Sequence, residues 1–189
     1  YDKTEVWKNE RLLRYTPHYM LDSRAIRRPT APDEQYHHFD VAGYAKTLRD
    51  NGVSVHIGAH GQRPGLGAHW ELWHMQQGGF TPWQAIRGGT IDGAKHLGMD
   101  KDIGSLEVGK LADMVVIDGD VLSDLKRSEY VDYTVLNGRI YDVKTMNEVG
   151  SKTKRKAFFF ERLNVQSMPE QTQQNLEAKA ETLHWVHKH

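Results

Sequence analysis

The chain has 189 residues, enough for one domain of ordinary size or a domain with an appendage, and 25 Lys and Arg balance 25 Asp and Glu. That balance excludes a global field drawing in nucleic acid or an anionic membrane surface. With no cysteine there are no disulfides and no thiolate metal sites, which leaves imidazole and carboxylate as metal ligands, and no apolar run is long enough to span a bilayer.

Residues 1–31 mix charges, aromatics and prolines without a sustained period and read as a long loop with short helical turns. The chain opens on Tyr1 with no targeting segment, and is expected to be a processed piece or an excerpt. Pro32, followed by Asp33 and Glu34, predicts a helix start, and Asn51-Gly52 predicts its end. VSVHIGAH, residues 53–60, then alternates Val53, Val55, Ile57 and Ala59 with Ser54, His56, Gly58 and His60, which predicts a strand. A helix running into a strand and out into another helix is the unit of a parallel α/β architecture.

GQRPGLG (61–67) reads as a turn and AHWELWHMQQ (68–77) as a helix stopped by Gly78-Gly79. Thr81-Pro82-Trp83-Gln84 has the spacing of a capping box, Gly88-Gly89 interrupts the helix it opens, and Thr90 is placed to cap a renewed helix ending at Gly98. Strands are predicted over 112–118, 130–136 and 139–141, the last two flanking Asn137-Gly138, the strongest local signal for a two-residue hairpin. KTKRKAFFFER (152–162) is a basic run followed by phenylalanines 158–160, which are expected to pack on the domain. Ser167 and Glu170 have capping-box spacing before a polar helix that runs to His189.

TPWQAIRGGTIDGAKHLGMDKDIGSLEVGKLADMVVIDGD (81–120), with YTVLNGRIYD (133–142), resembles the C-terminal signature of the metal-dependent amidohydrolases, in their imidazolonepropionase-like branch. The matching positions include Pro82, Ala85, Thr90, Gly98, Gly104, Ser105, Gly109, Lys110, Ala112, Asp113, Asp118, Asn137 and Gly138. GAHGQ followed by GLGAHWELW resembles, more narrowly, the type fused to a TolB-like β-propeller.

The resemblance implies an α/β fold, the C-terminal fragment of a (β/α)8 barrel with strands of a small β-sandwich. On it, 1–99 are barrel, with 53–60 as strand eight; 100–150 are sandwich strands; 151–189 are a tail with a terminal helix. It also implies a divalent metal, zinc, whose other ligands stand upstream. The implied chemistry is hydrolysis of a carbon–nitrogen bond other than an ordinary peptide bond, by metal-activated water. Its partners would be a small amide or cyclic amide substrate and the N-terminal part of the same protein, with no nucleic acid and no membrane span. A periplasmic or secreted location follows by the same resemblance.

Barrel enzymes work at the C-terminal ends of their strands, which singles out His60. The family carries an aspartate there, in Gly-Thr-Asp, where this chain has Gly58-Ala59-His60. Imidazole can take a proton near neutral pH or bind zinc, so His60 is the candidate catalytic residue and a candidate metal ligand. His56 shares its strand face but lies about 13 Å back along a strand, too far to share one ion, and is expected to fill the interior. Gln62 and Arg63 in the following turn, and His69 at the helix start, are candidate substrate contacts.

The stripe of Leu66, Trp70 and Trp73 is expected to face the core, His37-His38 to be solvated, and Asp113 to serve a turn or ladder. The competing functional class is a binding module that keeps the fold without chemistry. The isolated chain is expected to be inactive.

Overall fold

The computed structural model describes residues 9–17, 20, 32–60, 65–158 and 160–161, and the chain divides into two compact units. One is Asp2–Arg28 with Lys156–His189, the other Pro29–Arg155.

In the first unit, helix α1 spans Glu10–Tyr15, and Asn9 caps it by accepting the Leu12 N–H at 2.9 Å. Glu10 in the first turn and Arg14 in the last complement the helix dipole, and Leu12 is the buried residue. Glu161, itself buried, accepts the Phe158 N–H at 2.9 Å, and the Phe158 and Phe160 rings stack at 5.4 Å. The expected burial of the phenylalanine run fails at Phe158, which is 49 % exposed. Phe159 and the predicted terminal helix lie outside the described residues.

In the second unit the helix expected from Pro32 begins later. Pro32 accepts the Gln35 N–H at 3.0 Å and closes a 3-10 turn, Asp33–Gln35, before α2 runs over His38–Asp50. Its end is the predicted one: Asn51 bonds back to Thr47 and Leu48, and Gly52 takes φ +87°. Helix α3 is Gly67–Gln77. Helix α4 is Pro82–Gly88 and carries the predicted capping box with both bonds made, Gln84 N–H to Thr81 Oγ1 at 3.2 Å and Thr81 N–H to Gln84 Oε1 at 3.0 Å. Helix α5 is Ile91–His96, the expected renewal after Gly88-Gly89. Thr90, expected to cap it, instead turns its hydroxyl back to the Ile86 carbonyl at 2.8 Å, a bond a threonine makes readily within a helical turn.

Residues 53–60 are not a strand. A strand exists by its ladder, and no described segment lies beside 53–60 to pair with it; the neighbouring barrel strands that the resemblance implies are not supplied by these residues. The alternation still decides which side packs. Val55 and Ile57 lie against the core cluster of Met75, Phe80, Ala85 and Leu125, together with Leu72, Trp73 and Ile86. Above this core, Asp92 of α5 pairs with Arg87 of α4 at 2.6 Å and Arg49 of α2 at 3.1 Å, tying three helices together.

The strands are β1 (Met114–Ile117), β2 (Val131–Leu136) and β3 (Arg139–Asp142), antiparallel in the order β1-β2-β3. No parallel pair is present among the described residues. Leu136 faces Arg139 across Asn137-Gly138, at φ +50° and +78°, the paired positive angles of a type I′ turn. Asp113 accepts the Asn137 N–H at 2.6 Å, a bond that ties this turn to the start of β1. Between β1 and β2 a 3-10 turn, Leu125–Glu129, drops back into the helical core, with Leu125 and Ser128 buried.

Candidate functional site

The candidate site is the end of segment 53–60, and its course is set by contacts on either side. The Ile57 N–H approaches the Gly88 carbonyl at 3.5 Å, and a Cβ on Gly88 would stand 3.1 Å from the Val55 carbonyl oxygen. The Gly88-Gly89 pair therefore does more than interrupt a helix: it lets the segment pass close to α4. One residue on, the Gly58 N–H donates to Glu71 Oε2 of α3 at 2.5 Å. Ala59 and His60 then take φ +41° and +46°, the left-handed region that costs a side-chain-bearing residue about 1 kcal/mol or more each. The His60 N–H turns back to the Gly58 carbonyl, and the side chain stands in solvent.

His56 takes a different course. It is half-buried, its ring lies 4.7 Å from that of His96 at 35°, and its Nδ1 is buried without a hydrogen-bond partner. The two histidines of the segment thus serve different surroundings, as expected, but the contact with His96 was not foreseen. Gln62 and Arg63 lie outside the described residues.

His69, at the start of α3, has Nδ1 3.2 Å from the hydroxyl of buried Ser128, and Trp73 donates Nε1–H to the same hydroxyl at 3.1 Å and to the Leu125 carbonyl at 3.0 Å. The structure does not bring His69 into a described cluster with His60. Leu66 is buried and Trp73 packs on the core, as the stripe predicts. His38 departs from the solvated reading: its ring meets that of His74 edge-on at 5.3 Å, and its carbonyl is 2.6 Å from His74 Nε2.

Among the described residues no three His, Asp or Glu side chains converge to hold a metal ion. One exposed imidazole suits a single coordination position, so this chain's described residues do not make up a metal site. Sequence reasoning missed Glu71, Ser128 and the Arg49–Asp92–Arg87 cluster. Burial by itself would raise the Asp92 carboxyl, but hydrogen bonds from Arg87 and Arg49 outweigh it and hold the group below its ordinary range. Nothing local in HWELW marks Glu71 as more than a carboxylate beside an apolar stripe.

Compared with known proteins, residues 30–141 match the model of the amidohydrolase family. A 5-methylthioadenosine/S-adenosylhomocysteine deaminase of Thermoanaerobacter pseudethanolicus is 38 % identical over 80 residues, 34 % of this chain and 19 % of that protein. An imidazolonepropionase of Symbiobacterium thermophilum is 49 % identical over 39 residues, 21 % of this chain and 9 % of that protein. The chain thus spans about a fifth or less of the curated relatives it matches. The crystal structure of a Xaa-Pro dipeptidase superposes with a TM-score of 0.52 at 24 % identity, covering 66 % of this chain and 32 % of the other, a likeness of fold. No described helix is long and apolar enough to cross a membrane.

Proposed function

We propose that this chain, which belongs to the amidohydrolase family, is the C-terminal part of a hydrolase that cleaves carbon–nitrogen bonds other than ordinary peptide bonds in small molecules, with His60 as its catalytic contribution. On this reading 1–99 belong to a (β/α)8 barrel, 100–150 to a small β-sandwich and 151–189 to a tail. The whole protein carries a TolB-like propeller and works in the periplasm or outside the cell. Isolated, the chain does not turn over substrate.

The observation that carries the reading is the exposed imidazole of His60, held in a strained two-residue turn directly after a core-packed segment. Backbone strain of this kind persists where surrounding structure over-determines it, and it clusters at active sites. His60 takes a proton from the attacking water as the oxygen–carbon bond forms. It returns that proton to the leaving nitrogen as the carbon–nitrogen bond breaks, the two halves of general acid–base work. Gln62, Arg63 and His69 are the substrate contacts of this reading. A divalent metal, zinc on this reading, would supply an activated water when bound; His60 is the candidate ligand from this chain, and the other ligands are proposed to stand upstream.

The test is a survey of the full-length protein against small C–N substrates: aminopurine nucleosides, cyclic amides and short acylamino compounds. His60→Ala is expected to lower kcat by about 10²–10⁴-fold. Unchanged turnover in that variant overturns the role of His60. Binding without turnover by the parent protein favours the non-catalytic module instead.

A further inference from the structure

We propose that Glu71 is the positioning residue of the His60 turn, its carboxylate holding the Gly58 N–H from α3 and so fixing where the imidazole stands. The inference rests on His60 being catalytic, and extends that reading to a residue on another element.

Consecutive non-glycine residues at positive φ, Ala59 and His60, are not a conformation the chain keeps without restraint. The described restraints are the loose approach of Ile57 N–H to Gly88 at 3.5 Å, the turnback of His60 N–H to Gly58, and the bond from Gly58 N–H to Glu71 Oε2 at 2.5 Å. The last is an N–H to carboxylate bond, the strongest kind among the three. It comes from thirteen residues away, so it fixes the turn against the rest of the unit and not merely against itself.

Glu71 can serve as a fixed point because α3 is itself gripped. His69 and Trp73, two residues to either side, engage Ser128 and the carbonyl of Leu125, the two buried residues of the 3-10 turn, at 3.0–3.2 Å. Two residues is about 200° of helix, so these anchors lie nearly opposite Glu71. One side of α3 is bolted to the core and the other carries the carboxylate to the end of segment 53–60. With Oε2 committed to Gly58, the work of Glu71 is placement, and the proton traffic stays with His60.

The experiment uses the full-length protein with Glu71→Ala, Glu71→Gln and His60→Ala. It reads kcat, KM, thermal stability and hydrogen exchange at the Gly58 amide. Glu71→Ala is expected to lower kcat about 10–100-fold with KM within about twofold, and to speed Gly58 exchange about tenfold or more, as loss of a charged hydrogen bond predicts. Glu71→Gln keeps an acceptor oxygen at the same reach and is expected to restore kcat to within about threefold and exchange to the parental rate. A purely structural role would lower stability and active fraction together, without rescue by glutamine and without an exchange change confined to Gly58. If Glu71→Ala does not fold, Glu71→Asp takes its place: it keeps the charge but withdraws it by a methylene, and the same loss of kcat is expected. Parental kcat, or parental Gly58 exchange, in these shortened variants overturns the proposal. If His60→Ala retains turnover, the catalytic reading falls separately, and Gly58 exchange still decides whether Glu71 holds the turn.

Discussion

The helices and the sheet of the Pro29–Arg155 unit dispose of their apolar side chains differently. Around segment 53–60 the helices bury Met75, Phe80 and Ala85 and close over them with the Asp92 ion cluster. In the sheet no strand residue is buried; Val115, Val116, Leu136 and Ile140 are all exposed. A three-stranded sheet needs a covered face to be stable, and the part of this one that is held down is the turn between β1 and β2, where Leu125 enters the helical core at 0 % exposure. Stability in this unit therefore belongs to the helices, and the sheet borrows it through Leu125 and Ser128.

The sharpest way to break that arrangement is Leu125→Ala. It removes the shared plug from both regions and is expected to cost about 3–4 kcal/mol, read from the denaturation midpoint of the chain. A loss below about 1 kcal/mol would mean the sheet does not lean on the helices. Gly78→Ala acts within the helical region alone. A Cβ there would lie 2.3 Å from the Ala42 carbonyl carbon, so α2 and α3 must part. Because the obstacle is backbone, which cannot swing aside, the expected cost is about 3 kcal/mol, near the top of the range for overpacking.

Asp92→Ala strips the ion cluster and leaves two arginines uncompensated, Arg49 largely buried and Arg87 about a third exposed. The expected loss is about 2 kcal/mol at neutral pH, below the range for a fully buried pair because Arg87 can reach water. The sign of its pH dependence follows from the direction of the shift. The folded carboxyl titrates below its unfolded value of 3.8, so its stabilisation is complete above that pH and drains away as pH falls through the lower folded value. Acid titration of the parent and of Asp92→Asn should differ in that window, with the parent losing more. Parallel acid curves would show that the two arginines do not stabilise the carboxylate.

What was legible in the sequence divides along the range of the interaction that makes it. The capping box at Thr81, the type I′ turn at Asn137-Gly138 and the helix end at Asn51-Gly52 are each decided within four residues, and each stands where the sequence puts it. The strand over 53–60 was misread because alternation reports which side chains face a core, not whether a neighbour exists to complete a ladder; Val55 and Ile57 do face the core. His60 is singled out in the sequence only as the end of a segment in a resembling family, whereas its left-handed backbone is a local conformation no pattern marks, and the carboxylate that bonds Gly58 comes from α3. Glu71 with Gly58, and His69 with Ser128, are separated by 13 and 59 positions, and no periodicity carries information over those distances.

The smallest expected effect bears on the sheet. Val115 is 54 % exposed on β1 opposite Thr134, and Val115→Thr changes shape hardly at all while placing a hydroxyl where a methyl was. On an open face the hydroxyl keeps its water, so the cost should stay below about 0.5 kcal/mol in the chain as it stands. On a covered face the same hydroxyl would be desolvated without a partner, at about 1–3 kcal/mol. Measured in the 189-residue chain and again in the full-length protein, the substitution separates a sheet that is bare by nature from one that another segment covers. Equal small costs in both would mean that the exposed valines of β1 stay in water throughout.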